Sequence, residues 1–139
     1  MTIKIFLKQY QKAMLEVDCL ECEITELRDR LTSVPAGVGD GMPRGSRQDK
    51  TKLYAIMADK VKEKTEKKEQ AEEIMLSVLE VIDKVQDPIF RRLLFEKYIQ
   101  NRTWEEIATD LRYKSEEYVR GELHGKALNE ARRFYCEDT

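Results

Sequence analysis

The side chains best suited to binding a partner lie between Arg102 and Lys126, near the C-terminal end of the chain. The guanidinium of Arg120 is a planar fork that donates two parallel hydrogen bonds, and the carboxylate of Glu117 accepts hydrogen bonds from amino groups. The sequence has a single histidine, His124, and no nucleophile with a recognisable base stands near it. These residues therefore indicate recognition through hydrogen bonds and charge rather than covalent catalysis.

The cysteines do not form a recognisable metal site in the sequence. Cys19 and Cys22 are close together, but zinc needs about four ligands, and only the distant Cys136 and His124 remain as further partners. The sequence also contains no glycine-rich phosphate loop. We therefore expect free thiols, no metal, no cofactor and no enzymatic activity. The acidic residues recur at helical spacing, which indicates solvated helix faces.

Two short capped helices with a break between them are predicted from Thr103 onward. Thr103 is an N-cap candidate with Glu106 three residues later, which is the spacing of a capping box. After a break at residues 112–114, Ser115 is a second N-cap candidate, and acidic residues follow where the helix dipole favours negative charge. We expect burial of the apolar residues Trp104, Ile107, Leu111, Val119, Leu123 and Leu128.

The second of these helices is expected over residues 116–135, with a polar outer face. Two helices joined by a tight turn, the second longer than the first, form the unit that places a recognition helix in the major groove of DNA. Any small helical bundle can also contain two capped helices in succession. The pattern by itself therefore leaves both interpretations open.

Apolar residues follow a strict seven-residue repeat in the N-terminal part of the chain. This is the spacing of a coiled coil, in which two positions of each heptad form the apolar seam. Cys19 and Cys22 lie off this seam. One seam position holds Ile3, Tyr10, Val17, Ile24 and Leu31, and the other holds Phe6, Ala13, Leu20, Leu27 and Val34.

The sequence predicts an all-α fold in two parts. Residues 33–50 contain two prolines and four glycines and are expected to form a mobile loop between two long helices. The second long helix should run over residues 51–86, because Pro88 disfavours helical geometry in the residue before it. The expected organisation is a long antiparallel helical hairpin, a coiled-coil arm, over residues 1–86, followed by a helix-turn-helix head over residues 87–139.

The second long helix has an uneven apolar face. Residues 62–70 contain no large apolar side chain, and in a hairpin they would lie opposite residues 13–20, leaving Val17 and Leu20 poorly covered. A second copy of the chain could cover them, which favours a homo-oligomer, with a dimer first. The aliphatic stems of the lysines in this stretch are the alternative cover. A dimer would also suit DNA, because two-fold symmetric proteins read paired half-sites.

Composition sets the class of protein. Charged residues make up 37% of the chain and aromatic residues 8%, a balance typical of elongated helical proteins rather than compact enzymes. No apolar run is long enough to cross a bilayer, and the N-terminal segment becomes polar too early for a signal peptide. We expect no membrane association and a cytoplasmic location.

Six short motifs occur in a set order: FLKQYQKA near the start, LRDRLTSV before the loop, MPRG inside it, DP before a helix, then WEEIA and LHGKAL. In this order they resemble a family of small phage and prophage proteins over nearly the whole chain. The C-terminal part of that family looks like region four of bacterial sigma factors, and its members are generally described as probable phage transcriptional regulators. The resemblance implies a DNA-binding regulator in the cytoplasm of a bacterial host.

Two departures from the family's pattern fall in the head. Relatives usually carry glycine where this chain has Arg112, and the stretch of residues 113–124 is longer here. The register of the recognition helix is therefore left open. The sigma-factor regions that melt promoters and bind the core polymerase are absent from the sequence, so the resemblance implies an accessory regulator rather than a complete sigma factor.

The resemblance implies roles for the polar residues of the head. The second helix would enter the major groove with its N-terminal, outward residues nearest the bases. His124 belongs to this set by position, but we interpret it as a structural or solvated residue rather than a base contact. Arg120 would contact guanine and Glu117 a cytosine amino group, unless Arg120 simply pairs with a neighbouring carboxylate. A close approach of DNA or of another helix would explain Gly121 and Gly125. The implied DNA-binding residues are Arg102, Lys114 and Lys126 at phosphates, and Lys114, Ser115, Glu117, Arg120, Gly121 and His124 toward the bases.

Charge is the main objection to DNA binding by the head alone. Residues 87–139 hold ten basic and eleven acidic residues, whereas most DNA-binding domains are clearly basic. Residues 34–68 hold nine basic and five acidic residues. The basic segment 43–52 within them either follows a phosphate backbone or is a solvated linker.

Two other classes of function stay open. A weakly charged head could act chiefly as an interaction module that contacts RNA polymerase or another DNA-bound regulator. A small-terminase-like DNA-packaging adaptor also joins a helix-turn-helix to helical oligomerisation segments, and a ring of many subunits would favour it.

Overall fold

The structure, a computed structural model, describes residues 2–32 and 46–135, without the side chains of residues 46–49. Every regular element in these two ranges is helical, which confirms the predicted all-α class. None of the helices in these ranges is both long and apolar enough to span a membrane. Val34 and Cys136 lie outside the described residues, as does the predicted loop up to residue 45.

Five helices make up the described ranges, and two of them contain a π-helical turn, in which one turn holds an extra residue. In chain order they are α1 (Ile3–Thr32), α2 (Ser46–Lys84), α3 (Pro88–Leu94, extended by the π turn Phe95–Ile99), α4 (Trp104–Leu111) and α5 (Glu116–Tyr118, the π turn Val119–Leu123, then His124–Arg132).

Three predicted helix limits were wrong by a few residues, and one of them is the end of α2, which lies at Lys84 rather than at residue 86. Residues 46–50, predicted to be the end of the loop, already belong to α2. No glycine or proline occurs between Gly45 and Pro88, so the sequence contains no helix breaker that would delay the start of α2. The second helix of the head ends at Arg132 rather than at Tyr135, and the residues after it form single turns.

The contacts divide the chain into two compact units. We call them the head, which consists of Met1–Ala13 and Gln70–Thr139, and the shaft, which consists of Met14–Glu69. The head thus includes the first turns of α1 and the last turns of α2, in addition to the residues 87–139 predicted for it.

The two helices of the shaft are antiparallel. Glu16 pairs with Lys67 at 3.1 Å, Glu21 with Lys64, and Glu23 with Lys60 at 2.8 Å. Residue numbers rise along α1 while those of their partners fall along α2, so the chain direction reverses between the two helices. This confirms the predicted antiparallel hairpin and places the polar residues of α2 opposite the segment of α1 that was expected.

The apolar seam of the shaft is covered within a single chain. Val17 is 4% exposed and Leu20 8%, so the expectation that the polar stretch leaves them poorly covered was wrong. Lys64 and Lys67 lie across from this segment with about two thirds of each side chain covered, which agrees with the alternative that lysine stems provide the cover. The observation that favoured a dimer is therefore absent from the described residues. Cys19 and Cys22 are exposed free thiols, off the seam as predicted.

The core of the head draws on all five helices. Ile107, Val119 and Leu123 are buried as predicted, whereas Trp104, Leu111 and Leu128 are half-buried against the same core. The ends of the two long helices complete it. The buried apolar residues that surround the helix-turn-helix are Ile3, Leu7, Val78, Val81, Ile82, Val85, Leu93, Leu94 and Tyr98.

The helix-turn-helix has the predicted caps. The Thr103 hydroxyl accepts a hydrogen bond from the Glu106 amide at 3.1 Å, and the Thr103 amide donates to the Glu106 carboxylate at 2.9 Å. At the far end of α4, Arg112 adopts the left-handed conformation with φ of 65°. Ser115 then caps α5 by accepting from the Tyr118 amide at 3.1 Å. Cap, helix, left-handed turn and second cap therefore follow one another within the head.

Candidate functional site

The predicted contact residues in the first turns of α5 and just before it are exposed. Lys114, Glu117 and Gly121 are exposed, and so is Ser115, although its hydroxyl is engaged in capping the helix. A side chain at Gly121 would meet nothing within 4 Å. The same holds for Gly125, so no helix among the described residues requires either glycine by close approach.

Arg120 has a carboxylate partner one helical turn away. Its guanidinium lies 2.9 Å from Glu116, and both side chains are about half exposed. This is the surface pair that was considered as the alternative to a base contact. Exposed pairs at this spacing stabilise a helix by only a few tenths of a kcal/mol, so Arg120 can exchange Glu116 for another anion at small cost.

Arg102 is surrounded by carboxylates rather than free for a phosphate. It lies 2.9 Å from Asp110 and 3.9 Å from both Glu96 and Glu106. A phosphate would have to compete with three acidic side chains for this guanidinium. Lys126, another predicted phosphate contact, is exposed on the last part of α5.

Glu96 forms the buried part of this acidic group. It is 3% exposed, its Oε2 accepts from Arg92 at 2.8 Å, and its Oε1 has no hydrogen-bond partner in the structure. Burial raises the pKa of Glu96, and Asp110 raises it further, whereas the Arg92 guanidinium opposes this shift. Arg102, between α3 and α4, lies near Glu96 of α3 and near Glu106 and Asp110 of α4, so these ion pairs join the two helices.

His124 points into the head and not toward solvent. It is 7% exposed, and its Nε2 lies 2.7 Å from the Tyr98 hydroxyl. The Trp104 ring meets the imidazole edge to face, with ring centroids 4.7 Å apart. Burial, followed by the charges of Lys4, Lys97 and Lys8, lowers the pKa of His124 to about 4. The neutral imidazole thus joins α5 to α3 and α4 and does not face outward with the other residues that were placed toward the bases.

A basic cleft lies beside His124, within the head. It encloses about 420 Å³ and is lined by cations from three helices. The Lys97 ammonium lies 4.7 Å from the centre of the Trp104 ring, and burial together with the nearby Lys8 lowers the pKa of Lys97. No carboxylate lines the cleft in the part of the chain that the structure describes. We call it the basic cleft; its lining residues are Lys4, Lys8, Gln11, Lys97, Tyr98, Trp104, Arg120 and His124.

Gln11 connects the N-terminal helix to this cleft. Its side-chain amide donates to the backbone carbonyl of Lys97 at 2.5 Å and to the Asn101 side chain at 3.2 Å. These bonds fix the first turns of α1 beside the end of α3, and so bring Lys4 and Lys8 to the cleft. Sequence reasoning missed these two lysines, although their spacing of four residues places them on one helix face.

Comparison with known protein families, with curated proteins and with solved structures found no match.

Proposed function

We propose that the protein is a phage- or prophage-encoded transcriptional regulator that reads double-stranded DNA by placing the start of α5 in the major groove. The observation that supports this most strongly is the capped helix-turn-helix. Thr103 begins α4, Arg112 turns the chain, and Ser115 begins α5. This arrangement leaves the first turns of the second helix exposed, as a recognition helix requires.

The exposed residues of α5 have the chemistry of base reading. Arg120 is free to donate a pair of hydrogen bonds to guanine once it leaves Glu116, and Glu117 accepts from a cytosine amino group. The exposed Gly121 carries no side chain, and a Cβ there would meet nothing in the protein, so a DNA backbone or base edge can approach the helix at this position.

The longer stretch before His124 is also compatible with this arrangement. A π turn holds one residue more than an α turn, and α5 contains one at Val119–Leu123. One additional residue in the stretch before His124 can therefore be held inside the helix. Leu123 and Val119, at the two ends of the π turn, both remain buried in the core.

Binding to a pool of fragments from the genome that encodes the protein tests this function. We expect one sequence to be enriched at low salt and retained at physiological salt, because specific binding exceeds nonspecific binding by several orders of magnitude. The variant Arg120→Ala should lose that enrichment. The matched control is Arg133→Ala, which removes an exposed arginine at the C-terminal end of α5. Uniform loss of binding with salt in all three proteins would contradict the proposal.

An interaction module is the second candidate, and exposed apolar residues of the head favour it. Ile5, Leu76 and Ile89 are each at least 40% exposed, and the residues 87–139 carry slightly more acidic than basic side chains. Such a protein would bind RNA polymerase or another DNA-bound regulator. Its binding to that partner would be unchanged by Arg120→Ala and weakened by Ile89→Ser. If the protein instead reads DNA, Arg120→Ala weakens DNA binding and Ile89→Ser leaves DNA binding unchanged.

A further inference from the structure

The three lysines of the basic cleft carry positive charge without an acidic partner. Among the described residues, Lys4, Lys8 and Lys97 form no ion pair, although elsewhere in the chain lysines such as Lys60 and Lys67 do. Like charges four residues apart on a helix, as at Lys4 and Lys8, are destabilising by a few tenths of a kcal/mol. The free protein therefore carries an electrostatic cost at this site that a bound anion would relieve.

Both π turns of the structure open onto the basic cleft. Lys97 and Tyr98 belong to the turn Phe95–Ile99, and Arg120 belongs to the turn Val119–Leu123. No other π turn occurs in residues 2–32 or 46–135. Such turns are rare and are frequently found at functional sites, because they displace side chains from regular helical positions. Their convergence on one cleft is an observation independent of its charge.

The lining of the cleft suits a phosphate group better than an aromatic base. One face of the Trp104 ring is already covered by the Lys97 ammonium, and the His124 ring packs against Trp104 edge to face. What remains available is a set of N–H donors from lysine and arginine, which bind phosphate oxygens through charge-assisted hydrogen bonds. The neutral His124 adds no charge of its own.

We infer that the basic cleft is a phosphate-binding site in which Lys4, Lys8 and Lys97 hold a phosphate group beside Arg120 of α5. Under the proposed function, on which this identification of the ligand rests, the phosphate belongs to the DNA backbone that flanks the groove entered by α5. The N-terminal helix then acts as part of the DNA-binding surface and supplies the positive charge that residues 87–139 lack.

The single tryptophan of the chain gives a direct readout, because Trp104 lines the cleft. We would titrate the full-length protein with a DNA duplex of unrelated sequence at several salt concentrations, and follow tryptophan fluorescence. Backbone phosphates are the same in every sequence, so this experiment needs no operator. The salt dependence of log K reports the number of phosphates bound, at about 0.9 per phosphate.

Two variants and one control complete the experiment. Lys97→Gln, and separately the pair Lys4→Gln with Lys8→Gln, should reduce the salt slope by about one for each phosphate that is no longer neutralised, and should weaken binding to all sequences. The pair is informative even if Lys97→Gln perturbs folding, because Lys4 and Lys8 are exposed. Lys12→Gln is the matched control, since Lys12 is an exposed lysine of α1 that does not line the cleft.

The same titration with inorganic phosphate at constant ionic strength distinguishes the source of the anion. A saturable change in Trp104 fluorescence with the duplex alone supports a backbone phosphate, and one with inorganic phosphate supports a site for a free anion. The inference is overturned if neither ligand changes the fluorescence, or if the cleft variants and Lys12→Gln behave alike. If sequence enrichment depends on Arg120 but the lysine variants bind DNA normally, the proposed function holds and the phosphate site is wrong.

Discussion

His124 links three helices of the head through contacts that require its neutral form. Its ring forms a hydrogen bond with the Tyr98 hydroxyl and packs on Trp104. Three lysines lie close enough to disfavour a positive charge on the imidazole. The hydroxyl of Tyr98 stays protonated, since burial raises its pKa to about 12. The pair therefore behaves as a neutral, buried hydrogen bond and not as a pair of titrating groups near neutral pH.

The lowered pKa of His124 predicts a loss of stability in mild acid. Between its unfolded value of 6.5 and its folded value of about 4, the unfolded chain binds a proton that the folded chain does not. The free energy of unfolding should therefore fall by about 2–3 kcal/mol as the pH drops through this window. Urea denaturation of the native protein at neutral pH and near pH 4 measures the change.

The control for this experiment is His124→Gln, which keeps a polar side chain that does not titrate. Carboxylates such as Glu96, whose pKa is raised, titrate in the same range in both proteins, so the difference between the two pH profiles isolates the histidine. Equal pH dependence in the native protein and in His124→Gln would contradict the account of this residue.

The backbone conformation at Arg112, in the turn after α4, is one that glycine adopts more easily than arginine. Its φ of 65° lies in the left-handed region, where a residue with a Cβ is strained by roughly 1 kcal/mol and glycine is not. We therefore expect Arg112→Gly to raise the free energy of unfolding by about 0.5–1 kcal/mol. Arg133→Gly is the control with the opposite expected sign, because Arg133 has a right-handed φ of −64°. Destabilisation by both substitutions, measured by chemical denaturation, would rule out the assigned backbone strain.

At the scale of the elements, the proposed recognition helix α5 is held in the head by the packing of its buried face. Leu123 is buried at the end of the π turn, and its truncation to alanine should destabilise the head by about 2–5 kcal/mol, since it leaves a cavity. Leu76→Ala provides the matched control, because Leu76 is a leucine of the head that is 60% exposed. Thermal unfolding of both variants measures the difference. Equal midpoints for the two variants would mean that α5 does not pack as described.

Elements with local signals could be predicted from the sequence. The capping box of Thr103 and Glu106 involves residues three apart, and the Ser115 cap acts on the following turn, so each signal is complete within a few residues. The π turns had no such signal: their apolar and polar residues fit an ordinary helix equally well. The spacing of residues alone therefore does not predict where these turns occur.

The candidate site was predicted only in part for a related reason. Arg120 and His124 were identified because they lie in the motif itself. Lys4, Lys8 and Lys97 reach the same cleft only after folding, through contacts such as the bond from Gln11 to the Lys97 carbonyl. Contacts across most of the chain length leave no periodic pattern in a sequence. The sequence shows a basic surplus in segment 43–52, whereas the basic cleft takes two of its lysines from α1.

At the scale of the whole molecule, burial of the shaft seam within one chain predicts stability without a partner. Val17 and Leu20 are already covered, and Glu16, Glu21 and Glu23 pair with lysines of the same chain. We expect the unfolding midpoint to be independent of protein concentration, because no association is coupled to folding. Thermal unfolding over a wide range of concentrations, with the mass in solution measured alongside, checks this.

A midpoint that rises with concentration would contradict this expectation and restore the predicted dimer. A mass of many subunits would favour the packaging-adaptor class instead. A monomer is compatible with the proposed regulator, provided that DNA binding needs only one recognition helix, supported by the lysines of the basic cleft.

The central claim is that α5 reads the major groove, and methylation interference on the enriched fragment tests it most directly. Guanine N7 faces the major groove, whereas adenine N3 faces the minor groove. We predict that N7 methylation blocks binding at a few guanines and that N3 methylation of adenines does not. A fragment pool without enrichment, or binding indifferent to N7 methylation, would contradict the claim.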